Sequence, residues 1–192
     1  MSSVLGRDRG SALNLPNALT ALRIFLVPWI VVLLLTRTER GWLLSLVVFT
    51  IAVITDYLDG YLARRRNELT KLGAMLDPLA DKLLLSAAFI SLIELEMAPA
   101  WIVAVIIGRE FAVTWLRSEA LGRNIVISAS SAGKAKTVSQ IVSIYVMLLA
   151  LRVPAFEVLV APSLLVALAL TLYSGFDYFR RFARGSSAGS KA

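Results

Sequence analysis

Residues 55–85 read TDYLDGYLARRRNELTKLGAMLDPLADKLLL, and the rest of the chain is best understood outward from them. Asp56 and Asp59 stand three apart, and Gly60, Ala63 and Arg64 follow at +4, +7 and +8 from Asp56. On a helix all five share one face. Asp77 and Asp81 stand four apart, again on one helical face, with Gly73 one turn before Asp77. The pattern predicts two helices, each presenting two carboxylates, joined by a short basic connection. Apolar sequence precedes Asp56 and follows Asp81, which puts the carboxylates at the ends of apolar spans.

Those spans belong to a larger pattern. Of 192 residues, 58% are hydrophobic and 17% charged, with a mean hydropathy of +0.75. A soluble domain is about half apolar and about a quarter charged. The excess falls in runs near the length that crosses a bilayer as a helix, about 20 residues. Six spans are expected, at 18–36, 42–64, 73–95, 99–120, 131–151 and 156–179. The fold class is therefore all-α: a polytopic membrane protein with six transmembrane helices. Residues 1–17 read as a cytoplasmic N-terminal segment, 18–182 as the membrane catalytic domain, and 183–192 as a disordered tail of small and polar residues. The first 18 residues are polar, so no cleavable signal is expected.

Lys and Arg set the orientation. With the N-terminus, the second and fourth connections, the C-terminus and the adjoining helix ends on one side, the basic residues divide 17 to 3. That bias places both termini in the cytoplasm. The net charge of +7 then meets anionic lipid head groups, and nucleic acid is not an expected partner.

The chain has no Cys and no His, which excludes disulfides, thiol catalysis, imidazole bases and nitrogen or sulfur metal sites. A metal would have to be held by oxygen, favouring Mg2+, Mn2+ or Ca2+. Four carboxylates near a membrane boundary repel one another and are costly to desolvate. Bound divalent cations remove that difficulty, and oxygen ligands from two helices suit a magnesium pair. Two such ions can clamp a phosphoryl centre. Gly60, Ala63 and Gly73 leave that face open for a nucleotide, and Arg64 can hydrogen-bond phosphate oxygens. Taken singly, each residue has a plainer reading. Asp77 with Pro78 suits a helix cap, and small residues suit close helix packing. Two helices carrying the whole set favour the site.

The run Asp56-x2-Asp59-Gly60-x2-Ala63-Arg64-x8-Gly73-x3-Asp77-x3-Asp81 resembles the full signature of the CDP-alcohol phosphatidyltransferases. The resemblance implies a homodimer with a polar cavity facing the cytoplasm in a bacterial plasma (inner) membrane. It implies Asp56, Asp59, Asp77 and Asp81 as ligands of two Mg2+ or Mn2+ ions, with Asp81 also the catalytic base. It implies Gly60 and Arg64, and Thr70 as a further residue, as contacts to the CDP-lipid. Asn17 and Thr20, one turn apart at the start of the first span, join them as contacts near the cytidine phosphate, or else serve as a polar helix cap.

Flanking segments bear on the acceptor alcohol. NLPNALTALR (14–23), GRE (108–110) and GKAKT (133–137) with Gln140 resemble phosphatidylglycerophosphate synthases. Arg109, Arg117, Lys134 and Lys136 gather toward the cytoplasmic ends of the fourth and fifth spans, where an acceptor carrying its own phosphate needs cations. Glycerol 3-phosphate is such an acceptor. Inositol phosphate and phosphatidylglycerol also suit cations, serine does not, and the same residues serve positive-inside topology. The expected reaction moves the phosphatidyl group of CDP-diacylglycerol to glycerol 3-phosphate, giving phosphatidylglycerophosphate and CMP. A small cation transporter is the rival from another class. It accounts for buried acids but not for Arg64, Gly60 and Gly73, and its acids would sit near the midplane. Glu110, inside an apolar span, is expected to pair with a basic neighbour.

Overall fold

A computed structural model describes the backbone of residues 15–66, 71–122 and 131–189, and the side chains of residues 21–58, 82–120 and 131–184. Among these residues there are six α-helices and no strand. They are α1 (Leu15–Leu35), α2 (Glu39–Arg66), α3 (Lys71–Glu94), α4 (Ala100–Gly122), α5 (Ser131–Ala150) and α6 (Glu157–Gly189). A 3-10 turn at Pro154–Phe156 leads into α6. Each helix overlies one expected span. The exception in extent is α6, which is helical to Gly189 and so enters the stretch read as a disordered tail. No proline follows Pro162, and Arg180, Arg181, Ala183 and Arg184 are good helix formers.

Contacts divide the chain into two compact units, Met1–Ala87 and Ala88–Ala192. In the first, α1 packs on α2. The buried stripe of α2 is Gly41, Ser45, Phe49 and Ala52, at helical spacing. Arg23, Ile30 and Leu34 form the buried face of α1. The turn between them is tight. Arg37 takes a left-handed conformation, φ 57°, which ends α1. Thr38 then caps α2, its hydroxyl accepting the Gly41 N–H at 3.0 Å. A Cβ at Gly41 would stand 2.7 Å from the Leu33 carbonyl oxygen. Only glycine permits this approach of α2 to the end of α1.

In the second unit α6 packs against both α4 and α5. Its buried stripe is Leu164, Ala167, Thr171 and Ser174, and that of α5 runs Lys136, Gln140, Ser143, Ile144 and Met147. The Ser143 hydroxyl bonds the Ser163 hydroxyl across α5 and α6 at 3.2 Å. α3 ends in a Schellman turn: Met97 N–H donates to Leu92 O and Glu96 N–H to Ile93 O, both at 2.9 Å. Glu96 holds the left-handed position, φ 61°.

The surface differs from that of a soluble bundle: large apolar side chains are widely exposed, and several polar ones are buried beside the apolar core. Arg23, Ser45, Lys136, Gln140, Ser143, Thr171 and Ser174 are buried. Phe25, Trp29, Val32, Ile51, Ile54, Leu165, Leu172 and Phe176 are exposed. An apolar groove of about 540 Å³ between α5 and α6 adds Val138, Val142, Leu159 and Val166 to the apolar exterior. Apolar outside and polar at helix contacts is the arrangement that lipid as solvent favours. Among the described residues two helices are long and apolar enough to cross a membrane, Glu39–Leu58 and Pro154–Arg184.

Candidate active site

The first unit carries the aspartates. Asp56 continues the α2 stripe Gly41, Ser45, Phe49, Ala52, and so faces α1. There its Oδ1 lies 2.8 Å from Arg23 Nη1. Arg23 is buried, while Asp56 remains two-fifths exposed, at 40%. The pair fixes one carboxylate of the signature at the end of an apolar stretch of α2. Asp59, Gly60, Ala63 and Arg64 lie on α2 and Gly73, Asp77 and Asp81 on α3, but their side chains lie outside the described residues. So do those of Asn17 and Thr20, on α1. Thr70 lies outside them altogether.

A metal is implied by this set, and its donor chemistry fits one. Every candidate ligand is a carboxylate oxygen, as hard divalent cations require. Asp56 is oriented by Arg23 yet open enough to reach an ion. Among the described residues no group of three potential ligands occurs, since Asp56 alone of the four has its side chain described.

The second unit carries the basic residues, and two of them converge. Lys136 of α5 and Arg109 of α4 both pair with Glu110, through the same oxygen, Oε1. The Arg109 contact is 3.3 Å, from Nη1. Gln140 Nε2, one turn beyond Lys136, donates to that oxygen at 3.3 Å and to Thr171 Oγ1 at 3.1 Å. Arg109 Nη2 donates to Ser174 Oγ at 2.8 Å. The Ser174 hydroxyl in turn donates to the Thr171 carbonyl at 3.1 Å. One carboxylate thereby ties α4, α5 and α6 together in a largely buried place. Arg117, two turns beyond Arg109 on α4, is exposed, and so is Lys134. Of the four expected phosphate-binding cations, Arg109 and Lys136 share a cluster and the other two stand at the surface.

A family model described as CDP-alcohol phosphatidyltransferase matches residues 13–173. The chain belongs to the CDP-alcohol phosphatidyltransferase family. Among curated proteins it is 44% identical to the CDP-diacylglycerol–glycerol-3-phosphate 3-phosphatidyltransferase of Bacillus subtilis (strain 168), covering 88% of this chain and 94% of that protein. It is 37% identical to the enzyme of that name from Pseudomonas fluorescens, covering 88% and 89%. It is 38% identical to the probable phosphatidylglycerophosphate synthase of Mycobacterium tuberculosis (strain CDC 1551 / Oshkosh), covering 94% and 86%.

Within this CDP-alcohol phosphatidyltransferase several residues of the two clusters escaped the sequence reading. Arg23 closes the segment NLPNALTALR without a role of its own there, and the sequence marks none for Thr171, Ser174 or Gly175. A signal was present: Thr171 and Ser174 are polar residues one turn apart inside an apolar span, which are costly there unless bonded. Gly175 has its own reason. A Cβ there would stand 2.9 Å from Arg109 Nε and 3.2 Å from Arg109 Cγ. The arginine reaches its partners by lying across α6 at this glycine.

Proposed function

We propose that this chain transfers the phosphatidyl group of CDP-diacylglycerol to glycerol 3-phosphate, releasing CMP and forming phosphatidylglycerophosphate. The observation that carries the acceptor assignment is the Arg109–Glu110–Lys136 cluster, in which two cations share a single carboxylate oxygen. A phosphorylated alcohol suits two cations gathered in one place; serine does not. The relatives' names agree with this reading.

In the proposed site Asp56, Asp59, Asp77 and Asp81 hold two divalent cations, Mg2+ or Mn2+. When bound, these ions would balance the aspartates' charge and that developing on the departing CMP. Asn17, Thr20, Gly60, Ala63, Arg64, Thr70 and Gly73 receive the CDP-lipid, with Arg64 bonding its phosphate oxygens. Arg109, Arg117, Lys134 and Lys136 attract and orient the acceptor phosphate. The acceptor hydroxyl attacks the lipid-bearing phosphorus in line, a new P–O bond forms, and the P–O bond to CMP breaks. The Asp81 carboxylate takes the hydroxyl proton. Six membrane spans, a homodimer, and a cavity open to the cytoplasm complete the reading. Apolar exteriors on α1, α2 and α6 support the membrane setting.

The test is CMP release by purified protein in detergent with CDP-diacylglycerol and competing acceptors. Glycerol 3-phosphate should support release well above inositol phosphate, phosphatidylglycerol or serine. A different preferred acceptor would refute the assignment, and no release with any acceptor would refute the enzyme reading for this chain.

A further inference from the structure

The acceptor cluster contains one charged group that the proposed chemistry leaves unused, Glu110. Its Oε1 collects donors from Arg109 beside it, from Lys136 on α5 and from Gln140 one turn further on. Gln140 and Arg109 are in turn held by Thr171 and Ser174 of α6. Lys136 is 7% exposed and Gln140 1%. A lysine this buried needs a carboxylate to stay charged and in place. Arginine and lysine side chains also carry much rotamer freedom, which Glu110 restricts before any ligand arrives. A clamp serving only to join three helices would be satisfied by one cation and one carboxylate. Here two cations are drawn to one oxygen, which brings two positive groups to one place for an incoming dianion.

We infer that Glu110 is a positioning residue for the acceptor: it draws Lys136 and Arg109 around one oxygen, so that a phosphate meets two cations already in place. Glu110 does not touch the reacting atoms. It acts through Lys136 and Arg109, and it lowers the entropy lost when the acceptor binds. This rests on the proposed function, because it assigns those cations to the acceptor's phosphate.

The experiment is steady-state kinetics in both substrates for the unmodified protein, Glu110→Gln, Lys136→Met and the double variant. Glutamine keeps the size and a carbonyl oxygen for Gln140 but removes the charge. Glu110→Gln should raise the KM for glycerol 3-phosphate about 10-fold or more, the scale of one charge-assisted hydrogen bond, and leave the KM for CDP-diacylglycerol near its original value. Inorganic phosphate, as a competitor of the acceptor, should weaken in parallel. In the Lys136→Met background the Glu110→Gln change should add less than it does alone, because one of the two cations it acts through is gone. Glu110→Asp keeps the charge one methylene short and should show a smaller rise; it carries the test if the glutamine variant does not fold. An unchanged or lowered KM for glycerol 3-phosphate, an equal rise in both KM values, or additive effects in the double variant would each overturn the role of Glu110. If the unmodified protein releases no CMP in response to glycerol 3-phosphate, the proposed function itself fails and the inference falls with it.

Discussion

Arg23 of α1 and Asp56 of α2 pair at 2.8 Å, and their surroundings are unequal: the arginine side chain is 1% exposed and the aspartate 40%. The two deletions of this pair should therefore differ. Asp56→Asn takes one carboxylate away from a buried cation. Breaking a fully buried pair this way costs about 3–5 kcal/mol, and the exposure of Asp56 reduces that toward about 2 kcal/mol. Arg23→Met leaves only a half-exposed carboxylate and fills the same space with an apolar chain. Both variants should lose CMP release, since both disturb Asp56, but thermal unfolding in detergent should show Asp56→Asn as the less stable. An equal or greater loss in Arg23→Met would mean that other contacts of Arg23, not Asp56, hold it in the core.

Removal of the metal gives a sharper test of the aspartate set. CMP release should stop in EDTA and return with added Mg2+ or Mn2+. Asp59→Asn and Asp77→Asn should weaken the metal, so that higher concentrations restore part of the rate. Asp81→Asn should lower kcat by about 10²–10⁴-fold, the usual contribution of a general base, and excess metal should not recover it while CDP-diacylglycerol still binds. Full activity in EDTA, with metal analysis confirming an empty protein, would refute the two-ion site.

The helices were legible in the chain because apolar runs of bilayer length are hard to mistake. Each of α1 to α6 overlies an expected span. The end of α6 was not legible, since small and polar residues such as those after Arg184 read alike as tail or as frayed helix. The aspartate signature was legible because spacing alone puts Asp56, Asp59, Asp77 and Asp81 on helical faces. The pairing of Arg23 with Asp56 was not, for it depends on how α1 meets α2 in three dimensions. Likewise Lys136 and Arg109 read as independent phosphate ligands. Their sharing of Glu110 is a tertiary fact, fixed by Gln140, Thr171 and Ser174.

Topology can be read chemically, because the chain has no cysteine of its own. Single cysteines at positions 2, 68, 125 and 190 should react with an impermeant thiol reagent only from the cytoplasmic side. Cysteines at 38, 97 and 154 should react from the outside. The basis is the 17 to 3 division of Lys and Arg. Labelling of position 68 from outside would overturn the arrangement, since the connection between the aspartate pairs would then face away from cytoplasmic nucleotide.

Two glycines in the second unit should respond differently to alanine. At Gly175 a Cβ would meet Arg109 Nε at 2.9 Å and Cγ at 3.2 Å, so the arginine must move off α6. It would then lose Ser174, now at 2.8 Å, and its contact to Glu110. Overpacking costs about 1–3 kcal/mol, while replacing glycine by alanine within a helix returns about 1 kcal/mol, so the net change in stability should be small. The effect should appear in binding instead: the KM for glycerol 3-phosphate should rise about 10-fold, as for one lost charge-assisted contact, with the KM for CDP-diacylglycerol little changed. At Gly108, a Cβ would meet nothing within 4 Å. Gly108→Ala should keep both KM values and gain up to about 1 kcal/mol from helix propensity. Kinetics in both substrates, with thermal unfolding of each variant, separate the cases. If Gly175→Ala leaves the acceptor KM unchanged, Arg109 does not need its present path across α6, and its place in the acceptor site is lost.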